Sequence, residues 1–457
     1  MFGNLEFTLI GEEEEMDMNL SKLVLALAVV GSISLAGCGP NKPSGDAPKE
    51  ESKDISVMVF EGGYGKDFYE KAAEEFNSET GKNVSVIGDP RIDQQVMPLF
   101  QKGTPPDLTY PGWRFDHWKS VEDGAIMDIT EAMKGKAWKS EETWADTFEP
   151  NLLALGQKDG KQYVLPYFFS VTGWWYDPDL FAEKGWTVPK NYAELLALCQ
   201  KIKAAGIAPI TYQGQYPDYM IFGMLQPWII SAGGNDAFTA IQNLEPGAWQ
   251  TAGPLKAAQM IRELRDMGYF QQGATAMSHT EAQAEFINRR AAFVPCGTWL
   301  YSEMKQANKE NRRMEFMLPP VLGDGKGDPT SLMIKIEPWM VPSAAKSPKG
   351  AIEFYKYMTS LEKAKQFVEE KGTLMAIKGS DEANMPEYLQ GAAKAFKASK
   401  TVWASQWKEW YPTLYKAVEN NITLLVNGEL TPEEFCKRCE AEAEKVRQDP
   451  NIPKRKV

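Results

Sequence analysis

Apolar residues recur along the chain with two spacings, one typical of strands and one of helices. The run Ile55–Phe60 is almost continuously apolar and predicts a buried strand, whereas Lys66–Thr80 carries Phe68, Ala72 and Phe76 at the four-residue spacing of an amphipathic helix. The alternation continues with a strand, a helix and a third strand at Asn83–Ile87, Asp93–Gln101 and Pro106–Tyr110. Strands that alternate with helices predict a parallel, doubly wound sheet with ligands at the carboxyl ends of its strands.

A second α/β pattern follows in the middle of the chain. It comprises helices predicted at Tyr192–Ala205, Met220–Ala232 and Ala252–Met267 and strands predicted at Ile207–Tyr212, Ala291–Val294 and Met333–Val341. Ser278 and Glu281 match the capping box S-x-x-E, which predicts the start of another helix. After Ser347 and Pro348 the pattern becomes almost wholly helical. The sequence therefore predicts two α/β lobes and a helical C-terminal region.

The beginning of the chain has the layout of a secretion signal. Lys22 precedes the apolar run Leu23–Leu35, which is too short for a stable membrane span. The residues Leu35–Cys38 resemble the lipobox of bacterial lipoproteins, which implies cleavage before Cys38 and acylation of that cysteine. The alternative is a short buried helix in a cytosolic protein. We expect residues 1–37 to be removed and residues 38–53 to form a flexible tether.

The residues that precede this signal do not fit it. A signal peptide opens with positive charge, yet Glu12–Glu15 is a run of acids. Codons for glycine and glutamate are purine-rich, so Gly11–Glu15 is consistent with a translated ribosome-binding site. We therefore hypothesise that translation begins at Met16 or Met18 rather than at Met1.

Composition narrows the class of protein. With 457 residues and 43% hydrophobic content, the chain is long enough for two or three domains with large cores. Its formal net charge of -12, without basic blocks, argues against a nucleic-acid partner. Aromatic residues reach 11% and include 14 tryptophans, many of them in predicted loops. This surplus of tryptophan is a second clue to function, beside the secretion signal.

Few residues are available for metal or catalytic chemistry. The two histidines, His117 and His279, are too few for a three-histidine zinc site, and the phosphate-binding and serine-hydrolase motifs are missing from the sequence. Cys436 and Cys439 are interpreted as two thiols on one helical face rather than a redox or metal pair. We expect no metal, no cofactor and no catalytic residues, although a glycosidase, which needs only two carboxylates, stays open as an alternative.

The order of several short motifs resembles a known family across nearly all of the mature chain. The motifs are Gly103–Leu108 (G-T-P-P-D-L), Gly160–Pro166 (G-K-Q-Y-V-L-P), Trp175–Phe181 (W-Y-D-P-D-L-F), Val188-Pro189 with Tyr192–Leu195, Ser231–Gly234, Ala284–Phe286 and Pro295–Trp299 (P-C-G-T-W). Together they resemble the extracellular solute-binding proteins of bacterial ABC importers, in the carbohydrate-binding family related to maltose-binding protein. One departure is Asn288–Arg290, where the family usually shows a glycine, and it puts the local turn in doubt.

The resemblance implies a two-lobed clamshell of α/β class, in which each lobe is a doubly wound, mostly parallel sheet. Residues 54–168 with 342–376 would form the first lobe, and 169–336 with 377–457 the second. Hinge strands are expected near Phe169–Thr172, Glu337–Val341 and Leu374–Ile377. The family implies a monomer that captures a sugar outside the cytoplasm, held to the membrane by Cys38, and delivers it to ABC permease subunits.

Two stretches, Asp89–Asp93 and Met277–Gln283, look like the branch that binds N-acetylglucosamine and its short β-linked oligomers. A generic oligosaccharide binder is the main alternative within the family. An adhesin or a partner of a chemosensory receptor with the same fold is a further one. Sugars are bound by aromatic rings stacked on their C–H faces and by planar polar groups along their hydroxyl edges.

Three tryptophans are candidate stacking platforms by this resemblance. Trp113 follows the third predicted strand, and the alternative for it is a core anchor. Trp299 lies at a strand-to-helix turn where the family places a stacking tryptophan. Trp407 belongs to a region where the family has an aromatic wall, but its spacing from Trp410 fits packing equally well.

The polar candidates lie mainly in loops that should face the cleft. The alternative role for Arg91 is a surface salt bridge, and the alternative role for Glu281 is the capping box with Ser278. Glu337 is expected on a crossing strand that lines the hinge. The full set of polar candidates is Glu61, Tyr64, Arg91, Tyr216, Tyr219, His279, Glu281 and Glu337.

Overall fold

The computed structural model describes residues 52–112 and 114–457. The expectations for the signal, for Cys38 and for Trp113 therefore fall outside the described residues. The strands are β1 (Asp54–Phe60), β2 (Asn83–Asp89), β3 (Leu108–Tyr110), β4 (Gln157–Lys158), β5 (Lys161–Gln162), β6 (Leu165–Tyr176), β7 (Ala208–Ile210), β8 (Ala291–Gly297), β9 (Glu315–Met317), β10 (Leu332–Trp339), β11 (Leu374–Met375) and β12 (Val402–Trp403).

Helices occupy much of the remaining chain. They are α1 (Asp67–Thr80), α2 (Ile92–Gln101), α3 (His117–Glu122), α4 (Thr130–Met133), α5 (Pro150–Ala154), α6 (Pro178–Lys184), α7 (Tyr192–Ala204), α8 (Asp218–Met220), α9 (Gln226–Gly233), α10 (Asn235–Gln242), α11 (Ala252–Asp266), α12 (His279–Ile287), α13 (Leu300–Met304), α14 (Pro348–Met358), α15 (Leu361–Lys371), α16 (Glu387–Ala398), α17 (Trp407–Trp410), α18 (Pro412–Asn427) and α19 (Pro432–Gln448). Within the described ranges, none of them is long and apolar enough to cross a membrane.

The first sheet follows the sequence pattern closely. Its strand order is β2-β1-β3, and both pairings of β1 are parallel. Helix α1 buries the predicted face of Phe68, Ala72 and Phe76. The α/β clamshell class is confirmed, and the carboxyl ends of β1 and β3 lie at the same edge of the sheet.

The second sheet is mixed rather than mostly parallel. Its order is β12-β10-β6-β8-β7, with β9 and β11 also paired to β6. Strand β6 runs antiparallel to β8 and β10, and only the pairs β7–β8 and β10–β12 are parallel. The reason is that β6 is a crossing strand whose first half pairs with β10 and β11 and whose second half pairs with β8 and β9. The predicted hinge range Phe169–Thr172 pairs with Leu374 of β11 but with Ile334–Ile336 of β10, just before the predicted range Glu337–Val341.

Two local features differ from simple helix and strand expectations. The helix predicted at Met220–Ala232 contains a π-helical turn over Ile221–Leu225 before α9 begins. Pro227 has no N–H to donate to the carbonyl of Gly223, and the indole Nε1 of Trp174 donates to that oxygen instead at 2.8 Å.

The departure from the family motif also has a structural counterpart. Arg289 adopts a left-handed backbone conformation, with φ of 58°, at the turn where the family usually shows a glycine. Its guanidinium donates to Asp177 at 2.7 Å, and this ion pair offsets part of the backbone strain. Cys436 and Cys439 are both buried on α19 with free thiols, which agrees with their interpretation as packed side chains.

Candidate functional site

A cavity of about 680 Å³ lies where the loops after β1 and β3 meet the loop before α8, the start of α12, helix α13 and residues 404–409. The middle of β6 and of β10 forms its floor. A cavity of this size, with aromatic walls and a few convergent polar groups, is typical of a small-molecule site. The site therefore contains residues from the first sheet and from β6 and β10 of the second sheet.

Trp299 forms one aromatic wall of this cavity. It follows β8, and its Nε1 donates to the hydroxyl of Tyr219 at 3.3 Å. The rings of Tyr219 and Phe222 meet it edge-on, with centroids 6.3 and 6.0 Å away. A Cβ added to Gly297 would lie 2.0 Å from the ring of Trp299, so this position has to be glycine for the indole to fold back over its own strand. The indole lines the cavity, where an aromatic ring can stack on the C–H face of a sugar.

Two buried hydroxyl groups line the cavity near β6. Those of Tyr64 and Thr172 make no hydrogen bond of ordinary geometry within the described part of the chain. Burial raises the pKa of Tyr64 to about 12, and the nearby hydroxyls of Thr373 and Ser170 only partly oppose that shift. A buried polar group without a partner costs free energy, which a ligand with its own hydroxyls could recover.

Five carboxylates line the cavity, those of Asp218, Glu303, Glu337, Glu409 and Glu419. Glu337 on β10 accepts a hydrogen bond from the hydroxyl of Tyr110 at 2.5 Å, and burial raises the pKa of Glu337. Asp218 accepts from Lys408 at 2.5 Å and from Tyr415. Burial pushes the pKa of Asp218 upward, but the ion pair with Lys408 outweighs it and the net shift is downward.

Burial also raises the pKa of Glu303, although the amide of Gln283 donates to it at 2.7 Å. Burial raises the pKa of Glu409 to about 7 and lowers the pKa of His117 to about 4. Nε2 of His117 lies 3.9 Å from Glu409, but at neutral pH this imidazole is uncharged and the contact is not an ion pair. Near neutral pH the carboxyl group of Glu409 can therefore both accept and donate hydrogen bonds.

Six of the predicted site residues line this cavity. Tyr216 is 47% exposed and meets His279 edge-on, with ring centroids 5.3 Å apart. Both belong to the part of the cavity formed by the loop before α8 and the start of α12. The six are Tyr64, Tyr216, Tyr219, His279, Trp299 and Glu337.

Four predicted residues lie elsewhere. Glu61 turns toward Gly88 of β2, where an added Cβ would lie 3.3 Å from Oε2. Arg91 is an exposed residue at the start of α2, and Glu281 is exposed and completes the capping box with Ser278. Trp407 is fully buried against Trp249, with ring centroids 5.6 Å apart. Two of these placements have a clear reason, because Glu281 is held by its capping box and Trp407 takes a position in the core.

Other lining residues were not among the candidates. Phe60 and Tyr110 end β1 and β3, and the rule that ligands bind at the carboxyl ends of strands points directly to them. Glu409 lies between the buried Trp407 and Trp410 on α17 and occupies the other face of that short helix.

Within the described residues, no group of three or more His, Cys, Asp or Glu side chains could hold a metal ion. The lining offers hydrogen-bonding groups and aromatic rings.

Comparison with known proteins agrees with this chemistry. Residues 62–365 match the family model described as "Bacterial extracellular solute-binding protein". The "Diacetylchitobiose binding protein NgcE" of Streptomyces coelicolor is 28% identical over 381 residues, 78% of this chain and 79% of that protein. The "Multiple sugar-binding protein" of Streptococcus mutans is 26% identical over 406 residues, 85% and 90% of the two chains.

Solved structures share the fold. One titled "Chitin oligosaccharide binding protein" has a TM-score of 0.69 at 21% identity, over 86% of this chain and 98% of that one. Another, "SBP RafE in complex with raffinose", has a TM-score of 0.66 at 17% identity, over 86% and 99%. These relatives are named as binding proteins rather than enzymes.

Proposed function

The chain belongs to the bacterial extracellular solute-binding protein family, and we propose that it captures N-acetylglucosamine or a short chito-oligosaccharide and passes it to an ABC importer. The observation that carries this proposal is the cavity of about 680 Å³ that joins the aromatic wall at Trp299 to a floor of unpaired hydroxyls. A neutral polyhydroxyl ligand with apolar C–H faces matches both features. The similarity to a diacetylchitobiose-binding protein supports the choice of sugar.

The proposed cycle is one of hinge closure. Strands β6, β10 and β11 lie side by side and would bend as the two lobes, residues 54–168 with 342–376 and residues 169–336 with 377–457, move apart. A ligand that touches both lobes stabilises the closed form by its differential affinity for that form. The permease would recognise the closed form and release the sugar chemically unaltered. Acylation of Cys38 would keep the protein at the outer face of the membrane, and a monomer is sufficient for the cycle.

The test is direct titration. Isothermal titration calorimetry with N,N'-diacetylchitobiose should give micromolar affinity or tighter, whereas cellobiose, which has the same linkage but lacks acetamido groups, should bind at least about tenfold more weakly. Chromatography of the sugar after long incubation should recover intact disaccharide, and release of monosaccharide would instead identify a glycosidase. Equal affinity for cellobiose, or none for diacetylchitobiose, would contradict the proposed sugar.

A second candidate is a different oligosaccharide on the same site. The similarity to the multiple sugar-binding protein of Streptococcus mutans favours this alternative. Titration with raffinose and xylobiose in the same series distinguishes it, because a tighter response to either sugar would reassign the ligand while leaving the binding role intact.

A further inference from the structure

The end of the described chain crosses from one side of the cavity to the other. After α19, Arg455 is held by Tyr411: its backbone N–H donates to the tyrosine hydroxyl at 2.8 Å, and that hydroxyl donates to its carbonyl at 3.2 Å. The N–H of Val457 donates to the side chain of Asn243 at 2.9 Å. The backbone of this segment is therefore fixed to α10 and to the residue that follows α17, which belong to the second proposed lobe.

The side chain of Arg455 reaches a different part of the molecule. Its Nε and one terminal nitrogen donate to the two carboxylate oxygens of Glu122 at 2.9 and 2.8 Å, and its other terminal nitrogen lies 3.8 Å from Asp116. Only 11% of the Arg455 side chain and 20% of the Glu122 side chain are exposed. We call this contact of Arg455 with Glu122 and Asp116 the clasp.

Helix α3, which carries Glu122, is attached to the first sheet. The ring of Phe115, just before α3, packs on Phe100 of α2 with centroids 5.4 Å apart. Just after α3, the N–H of Ser343 donates to the carbonyl of Ala125 at 2.8 Å. The clasp thus joins α3 to the C-terminal segment, in addition to the hydrophobic core in which Trp118 of α3 and Tyr411 both lie, and His117 at the start of α3 lines the cavity. It lies beside the cavity rather than inside it.

We infer that the clasp is a conformational device that favours the closed form and thereby sets sugar affinity. This inference rests on the proposed hinge closure. The bidentate Arg–carboxylate geometry and partial burial make the contact stronger than an ordinary surface pair. The contact breaks if α3 moves away from Tyr411, so its free energy counts only toward the closed arrangement. Any loss of it shifts the equilibrium toward the open form and raises the apparent dissociation constant by the ratio of the closed fractions before and after the change.

Lys158 offers a matched control. It donates to the same carboxylate, Glu122, at 2.7 Å, but Lys158 and Glu122 both lie in the first proposed lobe. Substitution of Lys158 removes one ion pair from Glu122 without removing a contact between lobes. We expect Arg455→Gln to raise the dissociation constant for N,N'-diacetylchitobiose about three- to tenfold, mainly through faster dissociation, and Lys158→Gln to leave it unchanged.

The experiment combines calorimetry, stopped-flow dissociation and small-angle X-ray scattering on the wild type and both variants. An Arg455→Gln affinity and dissociation rate equal to those of Lys158→Gln would overturn the clasp. If the wild type binds no diacetylchitobiose, the proposed sugar fails and the clasp is judged by scattering alone. A larger radius of gyration for Arg455→Gln than for Lys158→Gln then supports it, and equal radii overturn it.

Discussion

Replacement of Trp299 by alanine is the sharpest test of the candidate site. The change removes an indole that lines the cavity while leaving Gly297 and β8 in place. It also removes a single hydrogen bond, the one to the hydroxyl of Tyr219 at 3.3 Å. Because the ring meets its aromatic neighbours by their edges, its loss should disturb the cavity wall more than the core.

The expected loss of affinity can be worked from the contact area. A sugar ring stacked on the indole covers roughly 60–80 Å² of apolar surface, which corresponds to about 1.5–2 kcal/mol of binding free energy. Aromatic face contacts add on the order of 0.5–1 kcal/mol beyond the area. The sum predicts that the dissociation constant for N,N'-diacetylchitobiose rises about thirtyfold to a hundredfold.

Titration calorimetry measures this change, and Trp138→Ala provides the matched control. Trp138 is also partly buried, but it packs on Phe76 and Tyr357 and does not line the cavity. Its substitution should lower the melting temperature without altering affinity. The reasoning would be refuted if Trp299→Ala bound the sugar as tightly as Trp138→Ala, since the indole would then be a packing residue only.

Three further outcomes follow from the same geometry. Gly297→Ala places a Cβ 2.0 Å from the ring of Trp299, so calorimetry should find a loss of affinity similar to that of Trp299→Ala. Trp407→Ala should lower the free energy of unfolding in urea by about 3–5 kcal/mol, and the milder Trp407→Phe should keep wild-type affinity, because this side chain is fully buried outside the cavity. In the folded protein, the pKa of Glu409 is raised to about 7. The contribution of Glu409 to the free energy of unfolding is therefore fully present below the pKa of this residue in the unfolded chain, and it is lost as pH rises through 7. Urea unfolding should therefore show that, between pH 5 and pH 8, the free energy of unfolding of Glu409→Gln rises by about 2 kcal/mol relative to that of the wild type. A difference between the two proteins that does not change with pH would contradict the raised pKa.

Periodicity was enough to predict most of the secondary structure. The four-residue spacing in α1 and the apolar run in β1 depend on local pattern alone, and both elements form within one residue of their predicted bounds. The antiparallel pairing of β6 could not be predicted in the same way. It depends on which strands lie beside it, and the long β6 is apolar along its whole length, so its pattern does not distinguish one partner from another.

The same distinction explains which site residues were predicted. Trp299 was predicted from the family resemblance, which places a stacking tryptophan at this strand-to-helix turn, and it lines the cavity. Glu61 could not be placed from its position after β1, because successive side chains at a strand end point to opposite sides and Phe60, one residue earlier, takes the place in the cavity. Trp407 was misjudged because a tryptophan at helical spacing fits a core and a binding wall equally well. Its burial depends on Trp249, which is remote in sequence.

The polar lining of the cavity matches a ligand that can both donate and accept hydrogen bonds. Asp218 is paired with Lys408, which offsets its charge. Arg114, Lys335 and Lys416 also line the cavity, so charged groups of both signs face it. A polyhydroxyl ligand can donate to the carboxylates and accept from the cationic side chains without bringing an unmatched charge into a buried site. An ion of either sign would meet like charges there as well as opposite ones, so the lining favours a neutral ligand.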